Sequence, residues 1–360
     1  MSFAQWGWNS FFEAQWAAED RGTNLAARVI QQQRGAWRIA GETCELWAEP
    51  SGKLRLAAAN GADWPAVGDW VAAELTEPGS RGVIESVLPR KSCFVRKEAG
   101  RKLEQQVIAA NVDVALLVCA MDGDFSTRRL DRYLAQCWES GARPVVVLNK
   151  ADICLATRER VEEVQRIGLG AEVFAVSATT GVGMDQLQQI LTPGLTFVLL
   201  GSSGVGKSTL VNRLLGQRLQ TTQPVREGDG KGRHTTTARE IFVLPEGALL
   251  MDTPGMRELQ LWDAQEGVSQ AFSDIDELAG QCKFRDCSHK AEPGCAVLAA
   301  VEGGTLDAGR LESRRKLLGE EDFLRRKLDA SAKAEYTERV KVLHRGVKQM
   351  YELRSRKGGK

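Results

Sequence analysis

The densest chemistry in the chain is one uninterrupted stretch, Gly201, Ser202, Ser203, Gly204, Val205, Gly206, Lys207, Ser208 and Thr209, which reads G-x4-G-K-S-T. Glycines let a backbone turn tightly enough for its N–H groups to surround a phosphate at a helix N-terminus. Lys207 would add positive charge at the β- and γ-phosphates, and Ser208 a hydroxyl for Mg2+. The apolar run 196–200 before the loop, and Leu210, Val211, Leu214 and Leu215 after it, predict the strand and helix that such a loop needs on its two sides.

Three further segments suit a nucleotide bound there. Asn149, Lys150, Ala151 and Asp152 close the apolar run 145–148, which puts the Asp152 carboxylate where it can accept from the N1–H and N2–H2 of guanine, a donor pair that adenine lacks. Ser177 and Ala178, followed by Thr179, end the next apolar run and would offer a backbone N–H to the guanine oxygen. Asp252-Thr-Pro-Gly255 ends another; there Asp252 could hold Mg2+ through water and the Gly255 N–H could meet a γ-phosphate. In ordinary small GTPases the phosphate loop comes first and the guanine box late. Here the order is reversed, which predicts a circularly permuted domain, a rewiring that is tolerable when chain ends lie close in space.

The position after Gly255, where Ras-like enzymes carry a water-orienting glutamine, is Met256. The segment 228–237, GDGKGRHTTT, has the composition of a loop able to close over a γ-phosphate. It carries His234, whose imidazole is suited to orienting water near neutral pH, beside a threonine run from which Thr236 or Thr235 would reach Mg2+. A GTP-holding RNA-binding regulator without turnover is the second reading, motivated by Met256; an ATPase is disfavoured by Asp152.

Cys282, Cys287, His289 and Cys295 offer three thiolates and one imidazole within fourteen residues, a full tetrahedral set that predicts one structural Zn2+ with no position left for substrate. Because the permuted order ends the nucleotide domain at Asp252–Gly255, this cluster follows within about thirty residues, and a nucleotide-dependent swing of the metal unit is expected.

These residues need elements to position them. Residues 25–95 show short β-type runs, LAARVIQ, TCELWA, KLRLAA, DWVAAEL and RGVIESVL, separated by turn chemistry; a five-stranded OB-type barrel fits, and periodicity does not separate it from other small barrels. Residues 100–270 alternate unbroken apolar strands with amphipathic helices, as a parallel α/β sheet requires. Leu130, Leu134 and Cys137 share one face of a helix expected to start after Ser126 and stop at Gly141. Residues 275–360 combine the Cys/His cluster with Lys/Arg-rich helical sequence, and residues 1–24 form an aromatic N-terminal extension.

No apolar run among the 360 residues approaches the ~18–20 needed to span a bilayer, and the N-terminus lacks the charge pattern of a secretory signal. A cytoplasmic protein with no membrane partner is expected, its isolated cysteines reduced. From Arg310 onward sixteen Lys and Arg face eight Asp and Glu, leaving the tail at +8 and the remainder at −7. A basic tail is commonly a solvated surface and, more specifically, can contact a polyanion such as RNA.

NKAD preceding GSSGVGKST, then GRHTTT, DTPG and CKFRDCSHKAEPGCAV, resembles the RsgA family, the ribosome small-subunit-dependent GTPases A. The resemblance spans about residues 25–300. It implies an OB-fold, a permuted GTPase domain and a zinc-finger domain, and GTP hydrolysis stimulated by the small ribosomal subunit during late maturation of that particle. It also implies that Asn149–Asp152 and Gly201–Thr209 bind GTP or GDP, that Cys282, Cys287, His289 and Cys295 bind zinc, and that His234 takes the catalytic-histidine position. A monomer contacting ribosomal RNA is expected.

Overall fold

The computed structural model describes residues 1–33, 35–77, 81–98, 104–123, 125–168, 170–216, 239–252 and 265–328. Five strands, β1 (Leu25–Gln33), β2 (Ala36–Ala40), β3 (Glu45–Pro50), β4 (Trp70–Glu77) and β5 (Arg81–Val87), pair in the order β1-β2-β3-β5-β4, and β4 returns to β1. All these pairings are antiparallel except β3 with β5. This closed circuit is the OB-type barrel. β3 alternates exposed and buried residues, as a barrel wall wet on one face should.

One of the sequence expectations for the barrel needs correction. KLRLAA is not a strand but belongs to helix α2 (Gly52–Ala57), because the Ser51 hydroxyl caps it by accepting from the Leu54 N–H at 3.1 Å and only Leu54 is buried. The fifth strand is instead AWRIA, β2, which follows β1 through a short turn. A hairpin not anticipated from the sequence, β6 (Cys93–Glu98) with β7 (Glu104–Ala110), joins the barrel to the next unit.

The N-terminal extension is an integral part of the packing. A 3-10 turn at Ala4–Trp6 and helix α1 (Ser10–Ala17) bury Trp6 and Phe12. Trp8 stands edge-on to the fully buried Trp70 of β4, ring centroids 4.6 Å apart. Beneath them lies Arg28 of β1, 1% exposed. Its guanidinium donates to the carbonyls of Trp6, Gly68 and Asn111 and to Thr196 Oγ1 at 2.8 Å, so one buried cation links the extension, the barrel and the following sheet. Burial pulls its pKa down to about 10 against the opposing pull of Asp113 and Asp69, which leaves it protonated at neutral pH.

The α/β unit comprises β8 (Val114–Ala120), α3 (Thr127–Ser140), β9 (Arg143–Asn149), α4 (Thr157–Ile167), β10 (Glu172–Ala175), α5 (Met184–Gln188), β11 (Thr196–Leu200), α6 (Lys207–Leu215), β12 (Arg239–Val243) and β13 (Leu249–Asp252). Strand order is β10-β9-β8-β11-β13-β12, parallel except for β12. Every residue of β8 and β11 is buried, the signature of strands covered on both faces. From β8 the chain winds outward through β9 and β10, then returns to lay β11 on the other side of β8. That reversal is the switch point at which open α/β sheets bind ligands, beyond the strand carboxyl ends. β12 also pairs with β1 of the barrel, Gln31 opposite Glu240 and Gln32 opposite Arg239, so both units share one eleven-stranded sheet.

Helices α7 (Gln265–Ala271), α8 (Ser273–Ala279), α9 (Ala296–Glu302) and α10 (Ala308–Leu328) form the C-terminal unit, packed against α3. Among the described residues no helix is long and apolar enough to cross a membrane.

Candidate nucleotide and metal sites

The loop 201–206 runs from the carboxyl end of β11 into α6, at the switch point. Gly206 has φ +94°, and a Cβ there would lie 2.2 Å from Asn149 Nδ2, so both conformation and space require glycine. Lys207 reaches back over the loop, donating to the Gly201 carbonyl at 2.6 Å and the Ser202 carbonyl at 2.5 Å. Val205 is buried, whereas Ser203 and Gly204 are exposed and Ser208 and Thr209 half-buried in the first turn of α6.

Asn149 connects three segments distant in sequence. At the end of β9 its Nδ2 donates to the Val205 carbonyl at 2.8 Å, and its Oδ1 accepts from the Ala178 N–H at 3.0 Å. The chain then turns through Lys150, whose φ is +66°, and the Lys150 ammonium pairs with Asp122 at 2.6 Å. The Ala151 N–H donates to the Val176 carbonyl, and Asp152 next to it is exposed. Ser177 is fully buried, its hydroxyl accepting from the Thr180 N–H at 3.0 Å. Asp252 ends β13 half-buried; burial raises its pKa, opposed by the nearby Lys207 charge. The structure thus gathers Asn149–Asp152, Ser177–Ala178, Gly201–Thr209 and Asp252 at the same edge of one sheet. His234, Thr235, Thr236 and Gly255 lie outside the described residues.

Sequence reading missed three residues at this site. Asp122 holds Lys150, while Arg129 and Tyr133 of α3 reach Ser202, with Arg129 Nη1 2.8 Å and the Tyr133 hydroxyl 3.4 Å from Ser202 Oγ. No motif marks them; the only local sign is their four-residue spacing on one face of an amphipathic helix.

In the C-terminal unit the ligand atoms of Cys282, Cys287, His289 and Cys295 all lie within 4.8 Å of one another. Cys282 Sγ is 3.9 Å from Cys295 Sγ, and His289 Nδ1 is 3.6 Å and 3.4 Å from these two sulfurs. Tetrahedral bonds of about 2.0–2.3 Å put ligands about 3.3–3.8 Å apart; both His289–sulfur distances fall in that range and the Cys282–Cys295 separation lies just beyond it, so the donor set suits a metal ion in chemistry and comes close to it in size. Cys295 also N-caps α9, its sulfur accepting from the Leu298 N–H at 3.4 Å. α10 fastens this unit to the α/β domain. Arg310, 4% exposed at its side chain, forks onto Asp274 of α8 at 2.7 and 3.0 Å and pairs with Asp131 of α3 at 2.9 Å.

Fold and site together define a P-loop GTPase of circularly permuted order, carried between an OB-type barrel and a helical unit with a metal-ligand cluster. Residues 87–262 match the model of the RsgA GTPase family. A protein from Opitutus terrae called small ribosomal subunit biogenesis GTPase RsgA is 43% identical, the match covering 96% of this chain and 97% of that one. Among solved structures, YjeQ from Thermotoga maritima superposes with a TM-score of 0.63 at 29% identity, covering 82% of this chain and 98% of its own. YloQ, described as a circularly permuted GTPase, superposes with a TM-score of 0.59 at 24% identity, covering 84% and 96%. The chain belongs to the RsgA GTPase family.

Proposed function

We propose that the protein binds GTP and GDP in the crevice at the ends of β8, β9 and β11, and hydrolyses GTP while bound to the small ribosomal subunit during its late maturation. The observation that carries this reading is Asn149, which ties the phosphate loop to two segments suited to reading guanine. Backbone N–H groups of 201–206 and the Lys207 ammonium would hold the phosphates. The Asp152 carboxylate would select guanine, helped by the Ala178 backbone. Ser208, Asp252 and Thr236 would hold Mg2+, which supplies charge neutralisation at the β- and γ-phosphates. His234 would orient the attacking water, with Gly255 sensing the γ-phosphate. Cys282, Cys287, His289 and Cys295 would hold one Zn2+, which supplies folding free energy to a small unit. The barrel and the basic C-terminal sequence would contact ribosomal RNA. The protein would act as a cytoplasmic monomer.

The relatives' names and the match over nearly the whole chain support the ribosomal assignment. GTPase assays titrated with purified small and large ribosomal subunits test it, and acceleration by the small subunit alone is expected. Acceleration by neither, at low salt and with metal-replete protein, removes the ribosomal assignment. If, in addition, His234→Ala has no effect, the protein is a GTP-holding regulator.

A further inference from the structure

Helix α3 presents three faces to three neighbours. Leu130, Leu134 and Cys137 are fully buried in the core beneath it. Arg129 and Tyr133, one turn apart, meet Ser202 of the phosphate loop. The third face belongs to the metal-binding unit. Asp131 takes Arg310, Arg128 pairs with Glu312 at 2.8 Å and Arg132 with Glu320 at 2.7 Å. Glu139 accepts from the Gly267 N–H at 2.9 Å. These contacts are not all equal. The Arg128 and Arg132 pairs are solvent-exposed and worth little. Asp131 and Arg310 are 3–4% exposed, so separating them would strand a buried charge. Gly267 of α7 packs so closely on α3 that a Cβ would fall 2.2 Å from the Ala135 carbonyl. A shift of the metal-binding unit relative to α3 would break the buried Asp131–Arg310 pair and the close Gly267 contact.

We propose that Arg129 is a positioning residue for GTP hydrolysis, and that the Asp131–Arg310 contact with the metal-binding unit sets its placement. Arg129 fixes the Ser202 side chain, and the Ser202 backbone carbonyl in turn accepts from Lys207. A displacement of α3 is thereby passed in two bonds to the lysine that serves the phosphates. Arg310 pairs with Asp131 two residues after Arg129, on the adjoining face of the same rigid helix. The link runs through a packed helix and does not require the chain connection at 253–264.

The proposal rests on reading 201–209 as a GTP-binding loop, so nucleotide affinity of the parent protein is the control. Single-turnover GTP hydrolysis and fluorescent-GDP affinity are measured on the full chain for the parent, Arg129→Met, Arg129→Lys, Arg310→Met and the double variant Arg129→Met/Arg310→Met. Losing a charged hydrogen bond that matters in the transition state should slow Arg129→Met by about 10- to 100-fold, with GDP affinity within about threefold of the parent and partial recovery in Arg129→Lys. Arg310→Met should be slowed as well, and the double variant no slower than Arg129→Met alone. Multiplicative effects would show that Arg310 acts independently of Arg129. An unchanged rate in Arg129→Met, or a loss of affinity as large as the loss of rate, would overturn the positioning role. Should Arg310→Met unfold the C-terminal unit, judged by metal content, Asp131→Asn replaces it in the cycle. A parent that binds no guanine nucleotide would sink the functional reading instead.

Discussion

Removing the Asn149 carboxamide separates a local effect from a general one. Asn149 is 3% exposed, and both of its partners, the Val205 carbonyl and the Ala178 N–H, belong to residues 3–4% exposed. In Asn149→Ala two buried polar groups lose their partners at once, and each orphan costs about 1–3 kcal/mol. Part of that is recovered when the loop and the 177–179 segment drift apart and hydrate, so about 2–4 kcal/mol remains. Nucleotide binding must bring the two segments back together, and at 1.4 kcal/mol per tenfold this weakens GDP by roughly 30- to 1,000-fold. Asn149→Asp is the sharper variant. It keeps the acceptor for Ala178 but sets a carboxylate oxygen against the Val205 carbonyl, so it should be at least as severe despite near-identical shape. Calorimetric titration of GDP, with thermal unfolding of the nucleotide-free proteins, reads both parts. If both variants bind within threefold of the parent, the claim that this side chain assembles the site is wrong.

Other expectations concern stability. Burial outweighs the attraction of Arg310 and raises the Asp131 pKa to about 6. Between the ordinary carboxyl value near ~4 and that value, the folded state keeps a proton that the unfolded chain has lost, so this group's contribution falls as pH rises through the window and is flat above it. Asp131→Asn should therefore gain on the parent in unfolding midpoint from pH 4.5 to 6.5 and then hold constant, and parallel curves would exclude this origin. Phe12→Ala, at a side chain 2% exposed, should cost about 3–5 kcal/mol in denaturant titrations, whereas a dispensable extension would give almost nothing. Chelation of the metal, or Cys282→Ser, should abolish hydrogen-exchange protection in α9 while leaving the barrel strands unchanged; equal loss in both would mean the two units unfold together. Gly206→Ala should eliminate nucleotide binding, because its Cβ would meet Asn149 Nδ2, and calorimetry checks it.

What could be read from residues alone was what is encoded locally. Motifs of this kind are defined by types and spacing within a few residues, so GSSGVGKST, NKAD and the 282–295 cluster stand out in the sequence, their order points to the permutation, and the structure brings the first two together at one sheet edge and the ligand atoms of the third within 4.8 Å of one another. Unbroken apolar runs marked β8 and β11 as inner strands because full burial needs no alternation. KLRLAA misled because a short run with two leucines fits either period, and the deciding fact was a Ser51 cap. Other features depend on partners that no local pattern names. Pairing of β1 with β12 fuses the two units through strands whose partners, Gln31 and Glu240 or Gln32 and Arg239, lie far apart in the sequence. Arg28 gathers acceptors from Trp6 to Thr196, and Arg310 meets Asp131 across 179 positions. A lone arginine in a strand or an aspartate on a helix reads as surface until the whole chain has packed around it. Side-chain type and spacing determine which chemistry is available, whereas burial, which turns those charges into joints between units, exists only once distant segments have excluded water together.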